Sequence, residues 1–299
     1  MSNESFSEQS RADFQRALFK SFMNRVWDSL SGQRTTLLSY DDIKEKLHIG
    51  GPIYRGVQTV RVDQIAGSLN RYHEFDRVFL PASDKLATRW QNVNRAFYQD
   101  VSLPPVVLYK VGQVYFVVDG HHRVSVAREQ GQIYIEAEVR ECSTRVDITA
   151  DIKPEDLEIL EDKVHFLERT SLDSLRPDAD IRLTIPDGFE RMLEHIAVHR
   201  YFMGLDLKRD ISEQEAIADW YDHVYMPVVD VIRETGILKE FPQKTEGDLY
   251  LWVLDHQHYL VMEEGQTLQP PVEAARNFVE VKDKKAPRKK RAAKKSEKK

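Results

Sequence analysis

The pattern of apolar and polar positions is sharpest between Tyr115 and Arg128. An unbroken apolar run, Tyr115-Phe116-Val117-Val118, meets Asp119-Gly120-His121-His122-Arg123, and apolar positions then return up to Gly131. Such a sequence predicts a strand, a tight turn and a helix over 121–130. Upstream, the runs 106–110 and 114–118 flank Gly112-Gln113 and predict a hairpin, while Leu103-Pro104-Pro105 ends a helix over 84–99 that aligns Leu86, Trp90, Val93 and Phe97. Alternation over 57–62 and 133–141 predicts two further strands. The stretch 65–76 reads as a polar loop, a second wall for whatever the central turn holds. The order β, α, β, β, α, β predicts a compact mixed domain over residues 51–149.

The flanks read as helices. In 9–31, Phe14, Leu18, Phe22, Val26 and Leu30 recur every four residues with Phe19, Met23 and Trp27 beside them, and Gly32 is placed to end the helix. This helix, in an N-terminal segment 1–50, is expected to dock on its own domain. From 150 to 267 the pattern is all helical. Pro154 and Asp187 open helices, Ser212 with Glu215 forms a capping box, Pro227 should kink the long helix that follows, and Gly236 should end it. A last helix carries Leu249, Trp252, Val253 and Tyr259, and residues 268–299 are expected to be a disordered basic tail. The expected fold class is therefore α+β, with an all-α C-terminal module.

Composition changes this picture in two places. The 299 residues are 41% hydrophobic and 31% charged, with no apolar stretch of membrane-spanning length and no leader-like start, so a cytoplasmic protein without membrane contact is expected. The single cysteine, Cys142, excludes an internal disulfide framework. Charge is unevenly spread: residues 282–299 hold eleven Lys or Arg against two acids, about +9, which leaves −15 of the overall −6 on the rest of the chain. Loose, salt-sensitive attachment of this tail to nucleic acid and a merely solubilising role both fit, because nothing in it reads sequence. The acidic body argues against docking on a duplex.

The central turn carries the candidate chemistry. A helix start presents unpaired N–H groups and the positive end of the helix dipole, which suits an anion. Gly120 allows close backbone approach, and His121, His122 and Arg123 add side-chain donors, so these four residues form a candidate phosphate site. The alternative reading makes Asp119 a helix cap, lets the histidines bond locally and leaves Arg123 on a solvated face. Elsewhere, His195 and His199 have two-ligand metal spacing, but Ile196 stands where a zincin glutamate belongs, so no metal site is expected. His256 and His258 lack further ligands in sequence. Trp220, Tyr221, Tyr225 and Tyr201 are expected in a core. No Walker, dinucleotide or Gly-x-Ser-x-Gly string occurs.

The string DGHHRVSVAR, after a hairpin and the loop GSLNRYHEF, resembles the ParB N-terminal/sulfiredoxin-like superfamily over roughly residues 55–141. The resemblance implies a turn at Gly120 that grips nucleotide phosphates, with Arg123 as the phosphate arginine, in a nucleotide-binding regulator or switch. It also admits an ATP- or ADP-dependent small-molecule kinase of the serine type, or a nucleotide hydrolase. In those readings Asp119 orients Mg²⁺ or accepts a hydroxyl proton, and Glu74 or Asp76 supplies a second acid. A third reading is a DNA-associated ParB-like protein using its tail. His121 occupies the position of the sulfiredoxin cysteine, so that activity is not implied. The implied cofactor is a nucleoside triphosphate or diphosphate with Mg²⁺.

Overall fold

The computed structural model describes residues 3–32, 35–265 and 267–285, which fold as two compact units, Met1–Val164 and His165–Lys299. The first unit is built on a six-stranded mixed sheet. Its strands are β1 (Leu38–Ser39), β2 (Pro52–Arg61), β3 (Ile65–Ser68), β4 (Val106–Val111), β5 (Val114–Asp119) and β6 (Tyr134–Cys142), in the spatial order β1-β3-β5-β4-β6-β2. The expected hairpin forms at the centre: β4 and β5 pair antiparallel across Gly112, which takes φ +55°. On one side β3 runs parallel to β5, and on the other β6 runs parallel to β4. The chain is an α+β protein.

Helices α1 (Asn3–Leu30), α2 (Tyr40–Lys46), α3 (Ala87–Tyr98) and α4 (His121–Glu129) complete the unit. Val106, Leu108 and Val117 of the sheet, Trp90 of α3 and Val124 of α4 are fully buried in one core. The Trp90 indole donates to Ser125 Oγ at 3.0 Å, and the Arg128 guanidinium donates to Ile65 O at 3.1 Å, which fasten α4 to α3 and β3. Helix α2 is capped by Ser39 Oγ, which accepts the Asp42 amide at 3.3 Å.

Two expectations for this unit are corrected. The stretch 65–76 is not wholly loop, since Ile65–Ser68 is a buried strand. Its polarity is misleading because Gly67 is needed there: a Cβ would stand 2.1 Å from the Phe116 ring of the neighbouring strand. Helix α1 does dock on its unit, but largely through its polar side. Phe14 and Ala17 are buried, whereas Phe19, Phe22, Met23, Val26, Trp27 and Leu30 are exposed. The inward positions are instead hydrogen-bonded. Asp13 accepts from Asn94 and Tyr98, Asn24 donates to Asp76, and Arg77 forks onto Asp28. These bonds select the face that turns in.

The second unit consists of helices. Helix α5 (Pro154–Thr170) contains the division between units, and α6 (Leu172–Leu175), α7 (Gly188–Leu207), α8 (Glu213–Trp220), α9 (Met226–Thr235), α10 (Glu246–Glu264) and α11 (Pro271–Lys285) follow. Trp220 and Tyr250 are buried at its centre, joined by an indole-to-hydroxyl bond of 3.1 Å. Ser212 accepts from the Glu215 amide as expected, while the Glu215 carboxylate turns to Arg209. Ahead of Pro227 the helix widens into a π turn, Tyr221–Tyr225, which relieves the clash a proline makes with the preceding turn. Gly236 ends α9 at φ +65°, as expected.

The first unit takes in the N-terminal segment together with the sheet and runs on to Val164. The expected tail begins too early. Residues 271–285 are helical because Ala274, Ala275 and Phe278 bury an apolar face, and the remainder, 286–299, lies outside the described residues. Among the described residues no helix is long and apolar enough to cross a membrane.

The Gly67–Phe116 contact yields a direct check. Gly67→Ala should destabilise the protein by about 2–4 kcal/mol, because the ring beneath is fully buried and cannot withdraw. Urea denaturation reads this loss, whereas Gly51→Ala, where a Cβ meets nothing within 4 Å, should leave the midpoint unchanged.

Candidate functional site

The central turn is positioned by two parallel strands. Since β3 and β5 run the same way, their C-terminal ends lie side by side, tied by the Leu69 amide donating to Val117 O at 3.0 Å. One end continues into the loop from Leu69, the other into Gly120. Gly120 holds φ +97°, and a Cβ there would stand 2.6 Å from Val106 Cγ1, so both conformation and space require glycine. Helix α4 then starts without a side-chain cap. The first amide of the helix to find an intrahelical acceptor is Val124, on Gly120 O at 3.0 Å. Those of His121, His122 and Arg123 have no acceptor among the described residues.

Both histidines of this first turn point inward. His121 Nε2 is hydrogen-bonded to Ser68 Oγ at 2.8 Å, and the same oxygen accepts the Arg71 amide at 2.9 Å. The His121 ring stacks on Phe75, with centroids 6.1 Å apart, and the His122 ring meets the same phenyl edge-on at 5.9 Å. His122 is only 9% exposed, yet neither of its ring nitrogens has a partner among the described residues. Burial, followed by the nearby Arg71 charge, lowers the pKa of each imidazole to about 4. Arg89 of α3 adds a second positive charge at His122, and Glu74 opposes both.

The remaining expected site residues divide. Glu74 stays at the turn, where its hydrogen bond from Arg71 holds its carboxyl below the usual range. Asp76 is withdrawn into the protein. It is fully buried, accepts the amides of Val78 and Leu80 at 3.1 and 2.7 Å and the Asn24 amide group at 3.0 Å, and is pushed up in pKa by burial. It holds the loop's shape and has no free oxygen to offer a substrate. Asp119 is exposed and pairs with Arg123 at 2.6 Å rather than capping the helix.

Arg123 already has protein partners. Its guanidinium donates to the carbonyls of Pro104 and Pro105 as well as to Asp119, so it clamps the approach to β4 against the turn. A single-sequence reading sees the arginine at the right spacing but not the carbonyls nineteen and eighteen residues upstream. The cations whose charge acts on the histidines are Arg71, on both rings, and Arg89, on His122. Arg71 sits in the expected second-wall loop, and its guanidinium lies 6.0 Å from the Phe75 ring centroid. Arg89 is exposed and carried no sequence signal beyond its place on α3.

The other candidate histidines do not converge. His195 lies against the Tyr250 ring at 5.7 Å, whereas His199 Nε2 bonds Asp219 at 2.7 Å, and no third ligand joins the pair among the described residues. His256 packs edge-on to Phe278 at 5.6 Å. Trp220 and Tyr225 are core residues, and Tyr201 is exposed.

The buried imidazoles make stability depend on pH. Unfolded histidine takes up a proton near pH 6.5, but these rings refuse one until about pH 4, so stability is lost as pH falls through that window. Each ring accounts for on the order of 2–3 kcal/mol at the acid end. His122→Phe, which keeps an aromatic ring against Phe75, should lose less stability than the wild type between pH 7.5 and 4.5 in urea denaturation. Equal losses would mean that the ring is not held neutral by its surroundings.

No protein-family model matches the chain, nor does any curated protein. Among solved structures, the chain is similar to a Pnob8-like ParB-N domain at 11% sequence identity, with 77% of this chain and 98% of that one aligned and a TM-score of 0.21.

Proposed function

We propose that the first turn of α4 binds the phosphates of a nucleotide or a similar polyanion, and that the chain acts as a ligand-operated regulator. The observation that carries this reading is His122: a nine-tenths-buried imidazole with neither nitrogen partnered among the described residues, in the uncapped first turn of α4 and under the positive charge of Arg71 and Arg89. An unsatisfied buried polar ring costs free energy, and an anion accepting from it would recover that cost. The DGHHR motif supports the same reading, with the phosphate arginine reassigned from Arg123 to Arg71 and Arg89.

Ligand arrival also supplies a switch. Arg71 is held by Glu74 in the free protein, and a phosphate would compete for its guanidinium and so loosen that pair. A nucleoside triphosphate or diphosphate would bring its Mg²⁺, for which Glu74 and Asp119 are the carboxylates nearest His121 in charge coupling. The kinase and hydrolase readings are less well supported. Catalysis by general base asks for a carboxylate poised near neutrality, whereas Glu74 is held low and Asp76 is spent on backbone amides. The tail through which nucleic acid would bind lies outside the described residues, so DNA association stays with the charge argument alone.

Isothermal titration of ATP, CTP, ADP and pyrophosphate, with and without Mg²⁺, tests the assignment. Arg71→Ala should weaken binding at least tenfold and Arg123→Ala should weaken it far less, although the latter lowers thermal stability. No binding by the wild type, or binding abolished by Arg123→Ala and untouched by Arg71→Ala, would refute it. A phosphate-release assay on the same samples should stay at background for a switch.

A further inference from the structure

The outward face of α1 carries six large apolar side chains in three turns: Phe19, Phe22, Met23, Val26, Trp27 and Leu30, between 42% and 80% exposed. Ordinarily such a helix would roll until this face met its own core. Here the roll is blocked, because the opposite side is bonded into the first unit through Asp13, Asn24 and Asp28, the last two within the apolar segment itself. We infer that the stripe is the interface of a homodimer, in which α1 of one copy packs antiparallel against α1 of a second.

Three features select a second copy. The spacing of the six positions is palindromic: an antiparallel partner sets 19 against 30, 22 against 27 and 23 against 26, so a twofold axis between residues 24 and 25 satisfies every apolar position at once. Between residues 19 and 30 the exposed face holds a single charged residue, Lys20, and its ammonium is already on Glu129 at 3.0 Å, so no like charges meet across the axis. The area suffices: side chains of this size and exposure would bury about 600 Å² per copy, some 1,200 Å² together, at the lower end of stable interfaces. A membrane surface fits less well. Interfacial helices keep a basic polar face free for headgroups, and the polar face of α1 is consumed by Asp76, Arg77 and Asn94 of its own unit.

Sedimentation equilibrium of the full chain should give twice the monomer mass, and Phe22→Glu or Trp27→Glu should raise the dissociation constant tenfold or more with an unchanged far-ultraviolet spectrum. Mixing Met23→Cys with Val26→Cys under mild oxidation should give a crosslinked pair, a readout that survives if the glutamate variants fold poorly. A wild-type monomer at high micromolar concentration, or flotation of the monomer with anionic phosphatidylserine vesicles in place of dimerisation, would overturn the inference. So would a dimer indifferent to all four substitutions.

Discussion

An imidazole buried with neither nitrogen bonded is an expensive arrangement, and the first unit is built so that His122 has no alternative. Gly120 turns the chain sharply at φ +97°, α4 begins at once, and the packing of Val124, Val126 and Ala127 fixes which way its first turn faces. With the helix anchored through Ser125 and Arg128, His121 and His122 have to lie over Phe75. His121 finds Ser68; His122 finds nothing. A buried polar group left in this state calls for an explanation, and the proposed anion supplies one.

The other charged residues around the turn make sense as support for that geometry. Arg123 joins the Pro104-Pro105 segment to Asp119, fixing the entry of β4 relative to the end of β5. Asp76 shapes the opposing loop through two backbone amides and reaches α1 through Asn24. Both are thereby engaged within the protein, and the charges acting on the histidines are the guanidiniums of Arg71 and Arg89 and the carboxylates of Glu74 and Asp119. Such a set fits the anion-binding reading proposed above.

Much of this was legible in the sequence, for reasons that separate local from distant causes. The β4–β5 hairpin, the Gly120 turn, α3 and the caps at Ser212 and Gly236 are written in neighbouring residues, and the chain folds them as read. What failed depended on partners far away. Asp76 and Arg123 look like site residues until the buried amides and proline carbonyls they bind are seen. β3 hides because its glycine serves a phenylalanine some fifty residues later. The inward face of α1 was misjudged because hydrophobicity alone does not weigh Asp13 or Asp28 against the partners waiting for them. Arg89 was missed altogether, since an exposed arginine on a helix looks like any other.

The account rests on the state of one ring, and nuclear magnetic resonance of ¹⁵N-labelled histidine reads it directly. In the free protein the His122 imidazole should stay neutral down to about pH 4, and saturating pyrophosphate should raise its pKa toward or above the ordinary 6.5 while shifting both ring nitrogens. A His122 ring that titrates near 6.5 without ligand, or that ignores pyrophosphate at every pH, would contradict the claim that this turn is an anion site.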